Sequence, residues 1–258
     1  MNGPTEAALD VALLAAREGL SVVPPKEDGS KAPVESWKKY QTTRADETQI
    51  RDWYRNGRRG VGLVCGAVSG GLEMFEFEAG AIRAGLQDRF IELAEGTGLG
   101  DVLAKIRSGY VEQTPSDGIH VFWRCTEVEG NLKLARRVND DGEIEVLIET
   151  RGEGGFAIIA PSSGSVHETG KPYVVVRGSL RTIPDLTPDE RRDIINLARS
   201  LDVMPEKPKD SYSWKQATDG DGRPGDNYNE RTSGADVVAL LVHHGWERVH
   251  QYGGRTHM

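Results

Sequence analysis

The seven residues Leu72-Glu73-Met74-Phe75-Glu76-Phe77-Glu78 constrain this chain more than any other stretch. They follow a glycine-rich turn, Gly66 to Gly71, and read as a β-strand. Strand side chains alternate between faces. Phe75 and Phe77 therefore point one way, and Glu76 and Glu78 the other, with Leu72 and Met74 behind them. Aromatic residues at every second position suit a buried face. The two carboxylates stand roughly 7 Å apart along the strand, from a rise of about 3.3 Å per residue. Like charges so placed stabilise a sheet poorly, but they suit hard divalent cations, which take oxygen ligands. A solvated polar face of a half-exposed strand is the other reading, and this stretch alone leaves both open.

The rest of the chain narrows the choice. With 258 residues, 37% of them hydrophobic, it has enough apolar material for one large domain or a domain with an appendage. A net charge of −8 excludes a globally basic nucleic-acid binder. The charge is uneven, however. Residues 31–60 hold Lys31, Lys38, Lys39, Arg44, Arg51, Arg55, Arg58 and Arg59 against four acids, and the excess acid lies mainly after residue 138. A basic region beside an acidic metal site is what a phosphate-handling enzyme needs, whereas a solvated charged surface is the ordinary alternative. The only two cysteines, Cys65 and Cys125, lie in apolar runs, which argues against a disulfide framework or cysteine-rich zinc site and for a reducing cytosol. No apolar run approaches the ~20 residues of a membrane span, and no signal-peptide pattern opens the chain. The expectation is a soluble cytoplasmic protein without membrane partners.

In chain order, residues 5–18 read as an amphipathic helix ended by Gly19, and Leu20 to Val23 as a strand stopped by Pro24-Pro25. A polar loop then carries Lys31, Pro33 and Trp37, with Lys31 able to reach a phosphate. Asp46 to Arg55 is a helix with Asp46 and Gln49 in capping-box register. Val61 to Cys65 is a buried strand, and residues 80–95 return to helix before Gly96 to Gly100 break it. Val111 to Gln113 leads into the turn Thr114-Pro115-Ser116-Asp117-Gly118, where proline presets φ and glycine permits positive φ. The strand leaving that turn puts His120, Phe122 and Arg124 on one face. A lone strand histidine is usually structural; one just past a serine turn, with arginine on its face, also fits a phosphate.

Glu143 to Glu149 is the next strand, with Glu149 at its end before the glycine turn Arg151 to Gly155. Functional groups gather where strands meet loops, which makes Glu149 the natural third carboxylate and leaves Glu143 and Glu145 solvated. Phe156 to Ala160 and Tyr173 to Val176 are strands, and Thr187 to Leu201 is a helix with Thr187 and Glu190 as its capping box. The expected division is a catalytic domain over 1–201, a Pro/Lys/Asp/Gly-rich linker over 202–225, and a short helical segment over 226–258, the start of a longer downstream region. His243, His244, His250 and His257 lack the spacing of a metal site.

Four segments, taken in order, resemble the bifunctional DNA primase/polymerase (prim-pol) branch of the archaeo-eukaryotic primases, common in phage and plasmid replication proteins. They are Gly19 to Pro24 with Lys31 to Trp37, the acidic strand Glu76-Phe77-Glu78 after Gly66 to Gly71, the His turn Thr114 to His120, and Glu149 to Ser163. The resemblance covers residues 5–180. Two features depart from the family pattern: all three acids are glutamates where aspartates are usual, and Asp117 displaces a glycine in the His turn. Arg223 to Arg231 and His244-Gly245-Trp246 look similar to the segment that joins such domains to a helicase.

The resemblance implies an α/β (α+β) archaeo-eukaryotic primase fold, with an RRM-like catalytic sheet packed on a small N-terminal α/β module. It implies template-directed nucleotidyl transfer with Glu76, Glu78 and Glu149 holding two Mg²⁺ or Mn²⁺ ions. His120 and Ser116 would bind the triphosphate, with Arg124, Arg151 and Lys31 as further nucleotide ligands. Partners would be single-stranded DNA template and primer, NTP or dNTP, and a helicase domain in a longer chain, in a bacterial host cytoplasm. Two other classes stay open: a metal-dependent nuclease or nucleotide hydrolase on the same carboxylates, and a non-catalytic RRM-like single-stranded nucleic-acid-binding module.

Overall fold

The alanine-rich opening folds as α1 (Pro4–Arg17) in the computed structural model, which describes residues 4–34, 36–204, 250–252 and 255–257. The chain then enters β1 (Ser21–Val22) and, after α2 (Glu47–Tyr54), β2 (Val61–Val64). Asp46 caps α2, its Oδ1 accepting the Gln49 N–H at 2.7 Å. A small antiparallel sheet in the order β1-β2-β8 is completed by β8 (Phe156–Ile159). The N-terminal module is therefore not contiguous: one of its three strands comes from almost a hundred residues downstream.

The main sheet has six antiparallel strands in the order β6-β7-β3-β5-β4-β9. They are β3 (Leu72–Phe77), β4 (Val111–Gln113), β5 (Ile119–Arg124), β6 (Leu132–Val138), β7 (Ile144–Arg151) and β9 (Val174–Arg177). Alternation along β3 divides the core as its sequence requires. Leu72 and Met74, with Phe122 and Tyr110, pack against α1, α2 and the small sheet. Phe75 and Phe77, with Val121 and Trp123, pack on the other side against α3 (Ala79–Arg83), α4 (Leu86–Gly96), α5 (Gly100–Ser108) and α6 (Pro188–Arg199). With both faces covered, all of β3 is buried. The reading of Glu76 as part of a solvated face is thereby overturned.

Other expectations also need correction. The single helix expected over 80–95 is two, α3 and α4, because Gly85 between them takes a φ of 69°. The stretch after Gly96 is not merely a break; Leu103 and Ile106 seat α5 on the core. β6 escaped notice because bulges between Lys133 and Arg136 destroy its alternation. The capping box at Thr187 and Glu190 is present at the start of α6. Cys65 and Cys125 are free and buried.

Contacts divide the chain into Met1–Pro205 and Glu206–Met258. In the second unit, β10 (His250–Tyr252) and β11 (Arg255–His257) pair as an antiparallel hairpin. The helix expected around Val237–Val242, and the expected linker from residue 205 on, lie outside the described residues. Among the described residues, no helix is long and apolar enough to cross a membrane.

Candidate active site

The register of the main sheet places one residue from each of five strands in a single row. Glu112 on β4 pairs with His120 on β5, His120 with Glu76 on β3, Glu76 with Glu149 on β7, and Glu149 with Lys133 on β6. Glu112, His120, Glu76 and Glu149 are all buried. Two carboxylates directly opposite one another destabilise a sheet, yet Glu76 and Glu149 face each other at its centre. Glu78, just beyond β3 at the N-cap of α3, joins them. Oxygens of Glu76, Glu78 and Glu149 lie within 4.8 Å of one another.

His120 is fixed between two acids. Its Nδ1 lies 2.8 Å from Glu112 Oε1 and its Nε2 3.2 Å from Glu76 Oε1. Glu112, fully buried, is itself satisfied: Oε2 accepts from the Tyr110 hydroxyl at 2.7 Å and the Ala160 N–H at 2.8 Å. Burial pushes the imidazole pKa down, but the charges and hydrogen bonds of Glu76 and Glu112 outweigh it and raise it to about 10. The row thus sets a histidine whose protonated form is favoured between Glu112 and Glu76, with Glu149 beyond.

The turn before β5 is built for this placement. Thr114 N–H donates to Gly118 O at 2.9 Å, and Gly118 N–H to Thr114 Oγ1 at 3.0 Å. A Cβ at Gly118 would come within 2.8 Å of the Phe77 carbonyl, so only glycine lets the turn lie against the end of β3. Asp117, which departs from the family pattern, takes a φ of 72°, a conformation that Asp and Asn adopt more readily than other side chains.

The acids open onto a cavity of about 380 Å³ between the main sheet and the N-terminal module. Glu76, Glu78 and His120 form one wall; Lys31, Ser116, Arg151 and His167 contribute to the others. Glu149 lies behind this surface, ion-paired to Arg151. The strand expected to end at Glu149 continues to Arg151, so the two side chains lie on the same face of β7. Arg124 is not part of the site. It stands four residues beyond His120, and its guanidinium donates to Ser69 O at 2.6 Å and Glu18 O at 2.9 Å, tying the sheet to the end of α1. Glu145, expected to be freely solvated, is half-buried and ion-paired, with Arg137 Nε donating to it at 2.6 Å.

Sequence reasoning missed Glu112, His167 and Tyr173. Glu112 was legible in principle, because it and His120 are equidistant from Ser116 at the centre of the hairpin. His167 carries no local signal. It reaches the cavity through the loop after Pro161, where its Nε2 lies 3.2 Å from Ser116 Oγ and its Nδ1 2.9 Å from Thr169 Oγ1. Tyr173 stacks near His120, with ring centroids 6.0 Å apart.

These residues fit a hard divalent cation. Three carboxylates converge, and Glu78 has no ion-pair partner among the described residues. Burial, then the charges of Glu76 and Glu149, push the Glu78 carboxyl up to about 7. Burial likewise raises Glu149. Burial also pushes Glu76 up, but His120, Arg151 and Lys31 prevail and hold it below the usual range. A raised folded-state pKa means that the proton on Glu78 stabilises the metal-free fold at low pH and is lost as pH rises through about 7. Ligation requires the carboxylate. Calorimetric Mn²⁺ titrations are therefore expected to show weaker binding with proton release at pH 6 and tighter binding without it at pH 8; affinity independent of pH across that range would contradict the assignment.

No curated protein sequence matches the chain significantly. The mixed α/β architecture with antiparallel sheets is that of an archaeo-eukaryotic primase-type fold. Residues 12–190, more than half of the chain, match the family of bifunctional DNA primase/polymerase N-terminal domains, and the chain belongs to that family of metal-dependent nucleotidyltransferases acting on DNA and nucleotides.

Proposed function

We propose that this domain performs template-directed nucleotidyl transfer, as DNA primase, DNA polymerase or both, in the replication of a phage or plasmid in a bacterial cytoplasm. The reading rests on one observation: Glu76 and Glu78, backed by Glu149, share a single cavity with Lys31, Arg151, Ser116 and His120. In the reaction, the primer 3′-oxygen, or the hydroxyl of the first nucleotide in priming, bonds to the α-phosphorus of the incoming nucleotide. The bond to the β-phosphate oxygen breaks and pyrophosphate leaves. Glu76, Glu78 and Glu149 would hold Mg²⁺ or Mn²⁺, two ions in all, which when bound ease deprotonation of the attacking hydroxyl and neutralise the triphosphate.

The remaining work belongs to side chains of this domain. Lys31 and Arg151 supply positive charge to the triphosphate, and Ser116 and His167 supply hydrogen bonds beside it. Glu112 holds His120 by its Nδ1–H, so that Nε2–H points at Glu76 and at the phosphates that approach it. Trp37 and Phe156, which also line the cavity with centroids 6.0 Å apart, offer apolar surface to a base. Catalysis of this kind is positioning and charge neutralisation. A helicase region in a longer chain would supply the unwound template.

The test is single-nucleotide addition to a primed oligonucleotide, with each of the four template bases at the first unpaired position. The expected product is a primer longer by one residue, the added base dictated by the template. Shortened primer, or free nucleoside phosphates formed regardless of template, would favour the nuclease or hydrolase reading and reject this one.

A further inference from the structure

The two edges of the main sheet are treated differently. At the β6 edge, Val203 N–H donates to Arg136 O at 3.0 Å and Arg136 N–H to Asp202 Oδ1 at 2.8 Å, so later chain covers it. At the other edge, β9 pairs only with β4, and its residues make no other backbone hydrogen bonds among the described residues. Its valines are open to solvent: Val174, Val175 and Val176 are 48%, 45% and 60% exposed. A bare apolar edge strand is a template for another strand, and proteins normally cover or charge it.

Beside that edge, on the face away from the active site, a second cavity of about 280 Å³ opens between α4, α5 and the sheet. Phe77, Phe90, Ile106 and Val121 line it, and Val176 of β9 forms part of its wall. The polar lining consists of Gln87, Arg107 and Arg177, with no acid. Neither arginine makes an ion pair among the described residues, and both are exposed at the mouth of the cavity. Open backbone, an apolar hole and two uncompensated cations thus meet at one place, with Val176 common to the edge and the hole.

We infer that β9 and this cavity form a docking site for an extended acidic segment of a partner protein. The segment adds a seventh strand along β9, drops one bulky apolar side chain into the cavity and sets carboxylates on Arg107 and Arg177. Main-chain hydrogen bonds would give such a contact its affinity, and the side-chain hole its specificity. Charge complementarity selects acidic over basic segments. The site lies across the sheet from the catalytic row, so binding there leaves synthesis intact.

Fluorescence anisotropy on the full chain tests this with a labelled peptide alternating glutamates and valines around one phenylalanine. Saturable binding is expected, weakened about tenfold or more by Arg107→Glu/Arg177→Glu and, separately, by Val176→Glu. Both variants should keep wild-type primer extension and melting temperature, which excludes misfolding as the cause. A peptide with lysines in place of glutamates should not bind. The inference is overturned if the acidic peptide does not bind, if both variants bind it like the wild type, or if the lysine peptide binds as well. It is equally overturned if sedimentation shows that a second copy occupies β9, or if only a small amphipathic carboxylate such as decanoate enters the cavity.

Discussion

Substituting Glu76→Gln is expected to lower kcat for nucleotide addition by about a thousandfold, or roughly 4 kcal/mol of transition-state stabilisation. The side chain keeps its shape and can still accept a hydrogen bond from His120, whose Nε2 lies 3.2 Å away. What disappears is a buried negative charge in the centre of the Glu112–His120–Glu76–Glu149 row. Primer-extension kinetics at saturating nucleotide measure the loss. Some stability should be lost as well, because the attraction of His120, Arg151 and Lys31 for the Glu76 charge outweighs its repulsion with Glu149, so the kinetics are read well below the melting temperature of the variant. A variant that retains wild-type kcat would show that the row does not carry the chemistry.

Substituting Arg191→Ala should instead strike stability, by about 3–5 kcal/mol. Glu73 lies on the opposite face of β3 from Glu76 and is fully buried. Arg191 of α6 grips both its oxygens, with Nε donating to Oε2 at 2.6 Å and Nη2 to Oε1 at 2.9 Å, while Trp123 Nε1 donates to Oε2 at 2.9 Å. Without the guanidinium, the Glu73 carboxylate is left in the core with one indole N–H. For a domain of this size the melting temperature should fall by about 10 °C or more. Differential scanning calorimetry reads the effect. The double variant Glu73→Gln/Arg191→Met should recover much of the loss, since removing both charges avoids the uncompensated ion. Equal melting temperatures for Arg191→Ala and wild type would show that α6 is held by its apolar contacts alone.

The acidic strand was legible because the period-two alternation of Phe75 and Phe77 against Glu76 and Glu78 is local, as are the turn at Ser116 and the capping box at Thr187. Arg124 misled because sharing a strand face with His120 says nothing of distance along it; four residues put it beyond the cavity, where backbone carbonyls take it. β6 was hidden by its bulges, and α5 by the lack of a side-chain cap at Leu99. His167 could not have been placed from sequence, since only the packing of a loop on the Ser116 turn brings it to the site. Glu112 falls between these cases: its hairpin register was readable, but its role depends on the Tyr110 and Ala160 donors that make a buried carboxylate tolerable.

The most direct test is a crystal structure of the protein with Mn²⁺, a non-hydrolysable dNTP and a primed template, read at the manganese absorption edge. The account predicts anomalous density coordinated by Glu76, Glu78 and Glu149, with the triphosphate between that density and the side chains of Lys31, Arg151 and His120. Manganese bound elsewhere, or a triphosphate outside this cavity, would contradict it.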